Sequence, residues 1–176
     1  KRSKLISDSI VSILKKHDIK AETLLDIGTG IGATLRPLAS YLAPKKIIGT
    51  DIAQVNPQNI QNLVFVRNNI IKTNENIPKL DYDLITMINV IEHIVTKKEL
   101  TSALENIKKL MKDKTKLLIA PIPKDIITHR GVIYAKSWNY KTVLETAKSI
   151  GLKVEIIDDA YNSFYEKSVL ITLRIL

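Results

Sequence analysis

The sequence predicts an α/β fold: a mostly parallel sheet of seven strands, helices on both of its faces, and an antiparallel hairpin at its C-terminal end. Three observations point there. Short, nearly continuous apolar runs alternate with segments of helical periodicity, as expected for strands buried on both faces. A glycine-rich turn joins the first such run to the helix after it. Only about ten residues separate the last two runs, too few for the helical crossover that a parallel pair needs.

The elements follow in order. Leu5, Ile6, Ile10, Ile13 and Leu14 recur at helical spacing and predict a helix over about 4–17. Thr23–Ile27, closed by glycines, reads as the first strand, and 33–41 as a helix in which Pro37 is tolerable near the start, where its missing N–H is not needed. Lys46–Asp51, introduced by Pro44, is the second strand; 54–62 form a turn or short helix; 63–66 make the third strand. After a loop over 67–81, the fourth strand covers 82–88 and ends near Asn89. The segment 97–111 is helical with Leu100, Leu104, Ile107, Leu110 and Met111 inward, and 115–120 is a fifth strand stopped by Pro121 and Pro123. Beyond a loop of some 15 residues, Trp138, Val143, Leu144 and Ala147 mark a helix that Gly151 terminates, and 152–157 and 168–175 supply the last two strands.

Composition narrows the functional classes. A chain of 176 residues, 45% hydrophobic and 26% charged, is globular and is expected to form one domain over 1–176. Its lack of cysteine excludes thiol catalysis, disulfides, iron–sulfur clusters and cysteine zinc sites. No apolar run approaches the ~20 residues that cross a bilayer, so a cytoplasmic protein with no membrane partner is expected. The 27 Lys and Arg against 18 Asp and Glu give a net charge of +9, which attracts polyanions but also serves solubility. Its densest stretches, 1–20 and 97–116, read as amphipathic helices, and no Arg-rich tract or zinc-finger spacing marks a nucleic-acid module.

The chemistry concentrates at the ends of the predicted strands. Gly28, Gly30 and Gly32 allow positive φ and bring backbone N–H groups close to a ligand, while the following helix offers its N-terminus. Asp51 lies 23 positions after Gly28, at the end of the second strand, where a carboxylate can accept hydrogen bonds from two ribose hydroxyls. Asp26, just before the first glycine, can organise the loop or meet the amino group of an amino-acid ligand. Because Ala33 is an allowed small residue at the sixth position of the turn, the turn alone does not reject NAD.

The run from Leu24 to Gly32 resembles the first motif of class I, Rossmann-like S-adenosylmethionine (SAM)-dependent methyltransferases, and Ile48 to Asp51 is similar to their second motif, whose acid holds the ribose. Asn68, Asn69 and Ile70 sit where the family often has an acid-bearing turn that reads adenine, and the amide of Asn69 can still pair with a base. The segments Asp83 to Ile85 and Ile91 to Ile94 look like the fourth-strand motif of the small-molecule and RNA O-methylating branches, and the terminal strands resemble the family's reversed hairpin. The resemblance implies SAM as cofactor, held by Asp26, Gly28, Thr29, Gly30, Gly32, Asp51, Ile52, Asn69, Ile70 and Asn89.

Glu92 and His93 follow the fourth strand directly, at the edge where open α/β sheets bind ligands. There His93 could take a proton from a hydroxyl or amine acceptor while Glu92 fixes the imidazole or contacts the substrate; a helix-capping role would explain the pair as simply. Some relatives use a Glu-x-x-Glu-His cluster with a further histidine as a divalent-metal site. Here Asn89 replaces the first Glu, and His129 is the distal candidate, so no metal is expected. The loop after the fifth strand carries Lys124, His129, Arg130 and Tyr134, expected to line the acceptor side, with Tyr134 and Trp138 suited to a planar group; ordinary solvation and core packing explain these side chains nearly as well. The strand-four end lacks an Asn-Pro-Pro-Tyr-like motif, which argues against methylation of DNA amino groups. The expected function is methyl transfer from SAM to oxygen or nitrogen of a small molecule or RNA. The competing classes are an NAD-dependent oxidoreductase and a noncatalytic SAM-fold subunit. The open site suits a macromolecule, or a homodimer in which one subunit closes over the other's small substrate.

Overall fold

The structure, a computed structural model, describes residues 2–123, 138–158 and 168–176. In chain order they form α1 (Arg2–Lys16), β1 (Thr23–Ile27), α2 (Leu35–Leu42), β2 (Lys46–Asp51), β3 (Leu63–Arg67), β4 (Leu84–Ile88), α3 (Lys97–Lys108), β5 (Lys116–Pro123), α4 (Tyr140–Ser149), β6 (Leu152–Asp158) and β7 (Ser168–Ile175). The strands make one seven-stranded sheet in the order β3-β2-β1-β4-β5-β7-β6. The first five are parallel, and β7 runs antiparallel to both β5 and β6. The expected hairpin is present, with its second strand inserted between the first and the rest of the sheet.

The continuous apolar runs arise because both faces are covered. Along β1, β2, β4 and β5, neighbouring residues point to opposite sides. Leu24, Ile47, Leu84 and Leu118 join Ile10, Ile13 and Leu14 of α1 and Leu35 and Leu38 of α2 in one core. Leu25, Ile48, Ile85 and Leu117 join Leu100, Leu104 and Ile107 of α3 and Val143 and Ala147 of α4 in the other. Truncating any of these fully buried leucines to alanine would cost about 2–5 kcal/mol.

Local signals set the helix ends. Thr96 accepts a bond from the Glu99 N–H at 3.1 Å, and the Glu99 carboxylate accepts one from the Thr96 N–H at 2.9 Å; this reciprocal box starts α3. The side-chain oxygen of Asn139 accepts the Lys141 N–H at 2.7 Å and caps α4, and Gly151, at φ +78, follows its end. With α2 starting at Leu35, Pro37 is its third residue, where no intrahelical donor is lost.

Several boundaries differ from expectation. Residues 54–62 form turns and irregular backbone, without a helix, and α3 stops at Lys108 rather than continuing to Met111. β4 begins at Leu84, and just before it the Asp83 carboxylate accepts the Glu22 and Thr23 N–H groups, each at 2.9 Å. β5 does not stop at Pro121 but runs on to Pro123. Its pairing with β4 ends at Ala120, and a register shift between Ile119 and Ile122 opposite β7 provides a bulge where a missing N–H is tolerated. No helix among the described residues is long and apolar enough to cross a membrane.

Candidate active site

In the strand order, β1 lies between β2 and β4, so the chain's crossovers diverge from β1 to opposite sides and leave a crevice at the carboxyl ends of the strands. The glycine turn sits at that point. The N–H groups of Gly28 and Thr29 both donate to the Thr50 carbonyl, at 2.7 and 2.9 Å, and the N–H of Gly30 donates to Oδ2 of Asp51 at 2.8 Å. The other oxygen of Asp51 accepts the Ala53 N–H at 2.9 Å. Turn and strand end are thus laced into one unit.

Gly28, Gly30 and Gly32 have φ of +74, +52 and +80, in the left-handed region open to glycine. A Cβ on Gly28 would stand 2.2 Å from Cγ2 of Val90, and one on Gly32 would stand 2.7 Å from Cδ1 of Ile60. A Cβ on Gly30 would meet no atom within 4 Å. The outer glycines therefore permit close packing within the protein, whereas the middle one borders open space.

Asp26 is buried at the end of β1, directly opposite Thr86 of β4 in the parallel register. Burial pushes its carboxyl up to about 6, partly offset by the Thr86 hydroxyl, which donates to Oδ1 at 2.6 Å, and to a lesser degree by the Thr29 hydroxyl. The carboxylate of Asp51 adds a small upward push. Thr29, also buried, donates its hydroxyl to the Asp26 carbonyl at 3.0 Å and so braces the turn. Sequence reasoning did not single out Thr86. The signal available was a lone hydroxyl in an otherwise apolar strand, and its meaning depends on which strand lies beside it.

The turn after β3 is tied down by its own side chains. Oδ1 of Asn69 accepts the Ile71 N–H at 3.0 Å, and Nδ2 of Asn68 donates to the Thr73 carbonyl at 2.9 Å. The Ile70 side chain is buried in the core beneath α3, and its carbonyl accepts Nδ2 of Asn106, so a ligand at this edge could meet only its backbone. Ile52, by contrast, is 65% exposed beside Asp51.

Past β4, Asn89 adopts φ +55 and donates its N–H to the Ala120 carbonyl at 2.9 Å, while its Oδ1 is buried without a hydrogen-bond partner. Glu92 and His93 belong to a single 3-10 turn, Ile91–His93, with Glu92 half-buried and His93 exposed. Among the described residues no group of three His, Asp or Glu side chains is arranged to hold a metal ion. Trp138, suited by its sequence to a planar acceptor or to core packing, is buried in the core, and its indole N–H donates to the Ile94 carbonyl at 2.7 Å. Lys124, His129, Arg130 and Tyr134 lie outside the described residues. Asp83, part of the sequence motif, serves at the opposite edge of the sheet as the cap on β1.

Residues 1–146 match the model of a methyltransferase-domain family. The chain belongs to that family and is a class I, Rossmann-like SAM-dependent methyltransferase. Solved structures repeat its fold. Mitomycin 7-O-methyltransferase MmcR superposes with a TM-score of 0.72 at 14% identity, over 97% of this chain and 53% of that one. A TehB-like SAM-dependent methyltransferase from Corynebacterium glutamicum also gives 0.72, at 17% identity over 96% and 88%. Magnesium protoporphyrin IX methyltransferase from Synechocystis gives 0.68, at 16% identity over 97% and 78%. At these identities the likeness establishes the fold, and the chain spans about half the length of MmcR. No curated protein sequence matches it.

Proposed function

We propose that the chain moves the methyl group of SAM to an oxygen or nitrogen of a small-molecule or RNA acceptor. The observation that carries the reading is the cradle at Gly30: a main-chain turn tied to the Asp51 carboxylate, with open space where a side chain would stand. Asp51 spends one lone pair of each oxygen on a backbone N–H and keeps the others for the two ribose hydroxyls. Exposed Ile52 offers an apolar surface to the adenine ring, and Asn69 and the Ile70 N–H meet the base edge. Gly28, Thr29 and Gly32 hold the turn in shape, and Asp26 receives the ammonium of the amino-acid end. The side-chain Oδ1 of Asn89, a buried acceptor that costs about 1–3 kcal/mol while unmet, fits a site that receives a donor from a bound molecule.

The cofactor supplies a methyl group made electrophilic by its sulfonium. The protein's share is alignment and the handling of one proton. His93, exposed beside the crevice, takes the proton that an alcohol or amine acceptor releases, with Glu92 next to it as its orienting partner. Lys124, His129, Arg130 and Tyr134 belong to the acceptor side, where the net charge of +9 favours an anionic acceptor or RNA. A small-molecule acceptor agrees with relatives named for mitomycin and for magnesium protoporphyrin IX.

Calorimetry with SAM, its demethylated product and NAD tests the cofactor; binding of NAD but not SAM would sink the proposal. Transfer of labelled methyl from SAM into fractionated RNA, protein and metabolites tests the acceptor. Label confined to protein would overturn the acceptor class.

A further inference from the structure

Asp26 is an anomaly in this core: a carboxyl group on the face of β1 that it shares with Leu24, covered by α1 and α2. Among the described residues, these helices send inward Ser7, Ile10, Ile13, Leu14, Leu35 and Leu38, and Asp8, Lys15, Lys16 and Arg36 are exposed. On β2, Asp51 contributes a like charge and Thr50 a hydroxyl 3.5 Å from the Asp26 carbonyl. Two hydroxyls offset the burial: that of Thr86 on β4, the larger influence, which reaches Oδ1 at 2.6 Å, and that of Thr29 in the glycine turn. Without such donors a carboxyl in these surroundings would protonate at higher pH and meet a cation over a narrower range.

We propose that Thr86 is a positioning residue for the cofactor: its hydroxyl, fixed on β4 opposite Asp26, keeps the Asp26 carboxylate charged and turned so that Oδ2 accepts the ammonium of the cofactor's amino-acid end. The inference rests on the cofactor reading above and adds to it a reason for hydroxyl chemistry in the middle of an apolar strand. Thr86 itself touches no ligand. It acts through Asp26, and its effect is confined to ligands that carry the ammonium and to the pH range in which Asp26 changes charge. The direction follows from the carboxyl at about 6. As pH falls through that value, Asp26 protonates and the ammonium loses its partner. Without the Thr86 bond the same loss sets in at higher pH.

The test is calorimetry on the full chain between pH 5 and 8.5 with two probes. S-adenosylhomocysteine carries the ammonium, and 5′-methylthioadenosine lacks the amino-acid end. In the wild type, affinity for the first should fall on acidification with a midpoint near 6 while affinity for the second stays level. Thr86→Val should move that midpoint up by about one pH unit, the scale of one hydrogen bond to a charged acceptor. Such a move lowers S-adenosylhomocysteine affinity about fivefold at pH 6 and about twofold at pH 7, with little change near pH 8.5. Thr86→Ser should restore the wild-type profile, and Asp26→Asn should flatten it. Equal weakening of both probes at every pH in Thr86→Val means a purely structural residue and overturns the proposal, as does an unmoved midpoint. Should Thr86→Val not fold, a wild-type profile for S-adenosylhomocysteine without an acid limb, or one that Asp26→Asn leaves intact, overturns it equally. A wild type that binds neither probe defeats the cofactor reading itself.

Discussion

Gly28→Ala and Gly30→Ala look like the same substitution and should behave differently. Each puts a side chain on a left-handed residue, φ +74 and +52, at about 1–2 kcal/mol. At Gly28 the new methyl also overlaps Val90, whose Cγ2 would be 2.2 Å away, and overpacking of that kind adds about 1–3 kcal/mol. Gly28→Ala should therefore lose about 2–5 kcal/mol, a fall in Tm of roughly 4–20 °C for a chain of this length. Gly30→Ala has no neighbour within 4 Å and should lose only the conformational part, roughly 2–8 °C. Thermal unfolding without ligand reads the first contrast. Pairing Gly28→Ala with Val90→Ala isolates the overlap, since the double variant should recover about 1–3 kcal/mol relative to additivity. Ligand binding should reverse the order of severity: the methyl on Gly30 fills the cradle, so the milder destabilisation should carry the larger loss of SAM affinity, at least tenfold. Strict additivity of Gly28→Ala and Val90→Ala would refute the packing argument. A Gly30→Ala protein that binds SAM as the wild type does would refute the cradle.

Three further outcomes are expected. Asp51→Ala should weaken SAM binding more than tenfold by calorimetry, because it removes both the proposed ribose acceptor and the anchor of the Gly30 N–H; unchanged affinity would refute the ribose role. His93→Ala should lower the single-turnover rate of methyl transfer and leave SAM affinity within about twofold, since this exposed side chain has no part in the glycine turn. Asp26→Asn should gain stability while losing function. The folded carboxyl near 6, against 3.8 for the free group, binds its proton more tightly than the unfolded chain does. Stability from this residue is therefore full below about pH 3.8, declines as pH rises through about 6, and leaves a deficit on the order of 3 kcal/mol above it. The neutral variant should melt higher than the wild type at pH 8 and show less advantage at pH 5; a lower melting temperature at pH 8 would contradict the assignment.

Much of the fold was legible because its causes are local. Alternation of apolar strands with helical stripes, Gly151 past α4 and Pro37 at the start of α2 each act within a few residues. The glycine turn and Asp51 were legible for the same reason: they lie at the ends of successive strands, and a parallel sheet brings those ends to one edge. What sequence alone left open depends on partners distant along the chain. Asp83 reads as part of a site motif, yet it caps β1 because Glu22 and Thr23 happen to lie beside it. Trp138 suits a planar ligand or the core equally in the sequence, and its burial with the indole N–H donating to the Ile94 carbonyl decides for the core. Pro121 reads as a stop, and only the bulge opposite β7 lets the strand continue.

The amino-acid sequence by itself determined the strand and helix order, the glycine turn and the acid that anchors it, because periodicity and backbone freedom are properties of short segments. Only the tertiary structure decided that β7 lies between β5 and β6, that the middle glycine faces open space while its neighbours face Val90 and Ile60, and that Asp26 meets Thr86. Those facts come from register and packing between residues tens of positions apart, and they are set by what the whole sheet can bury at once.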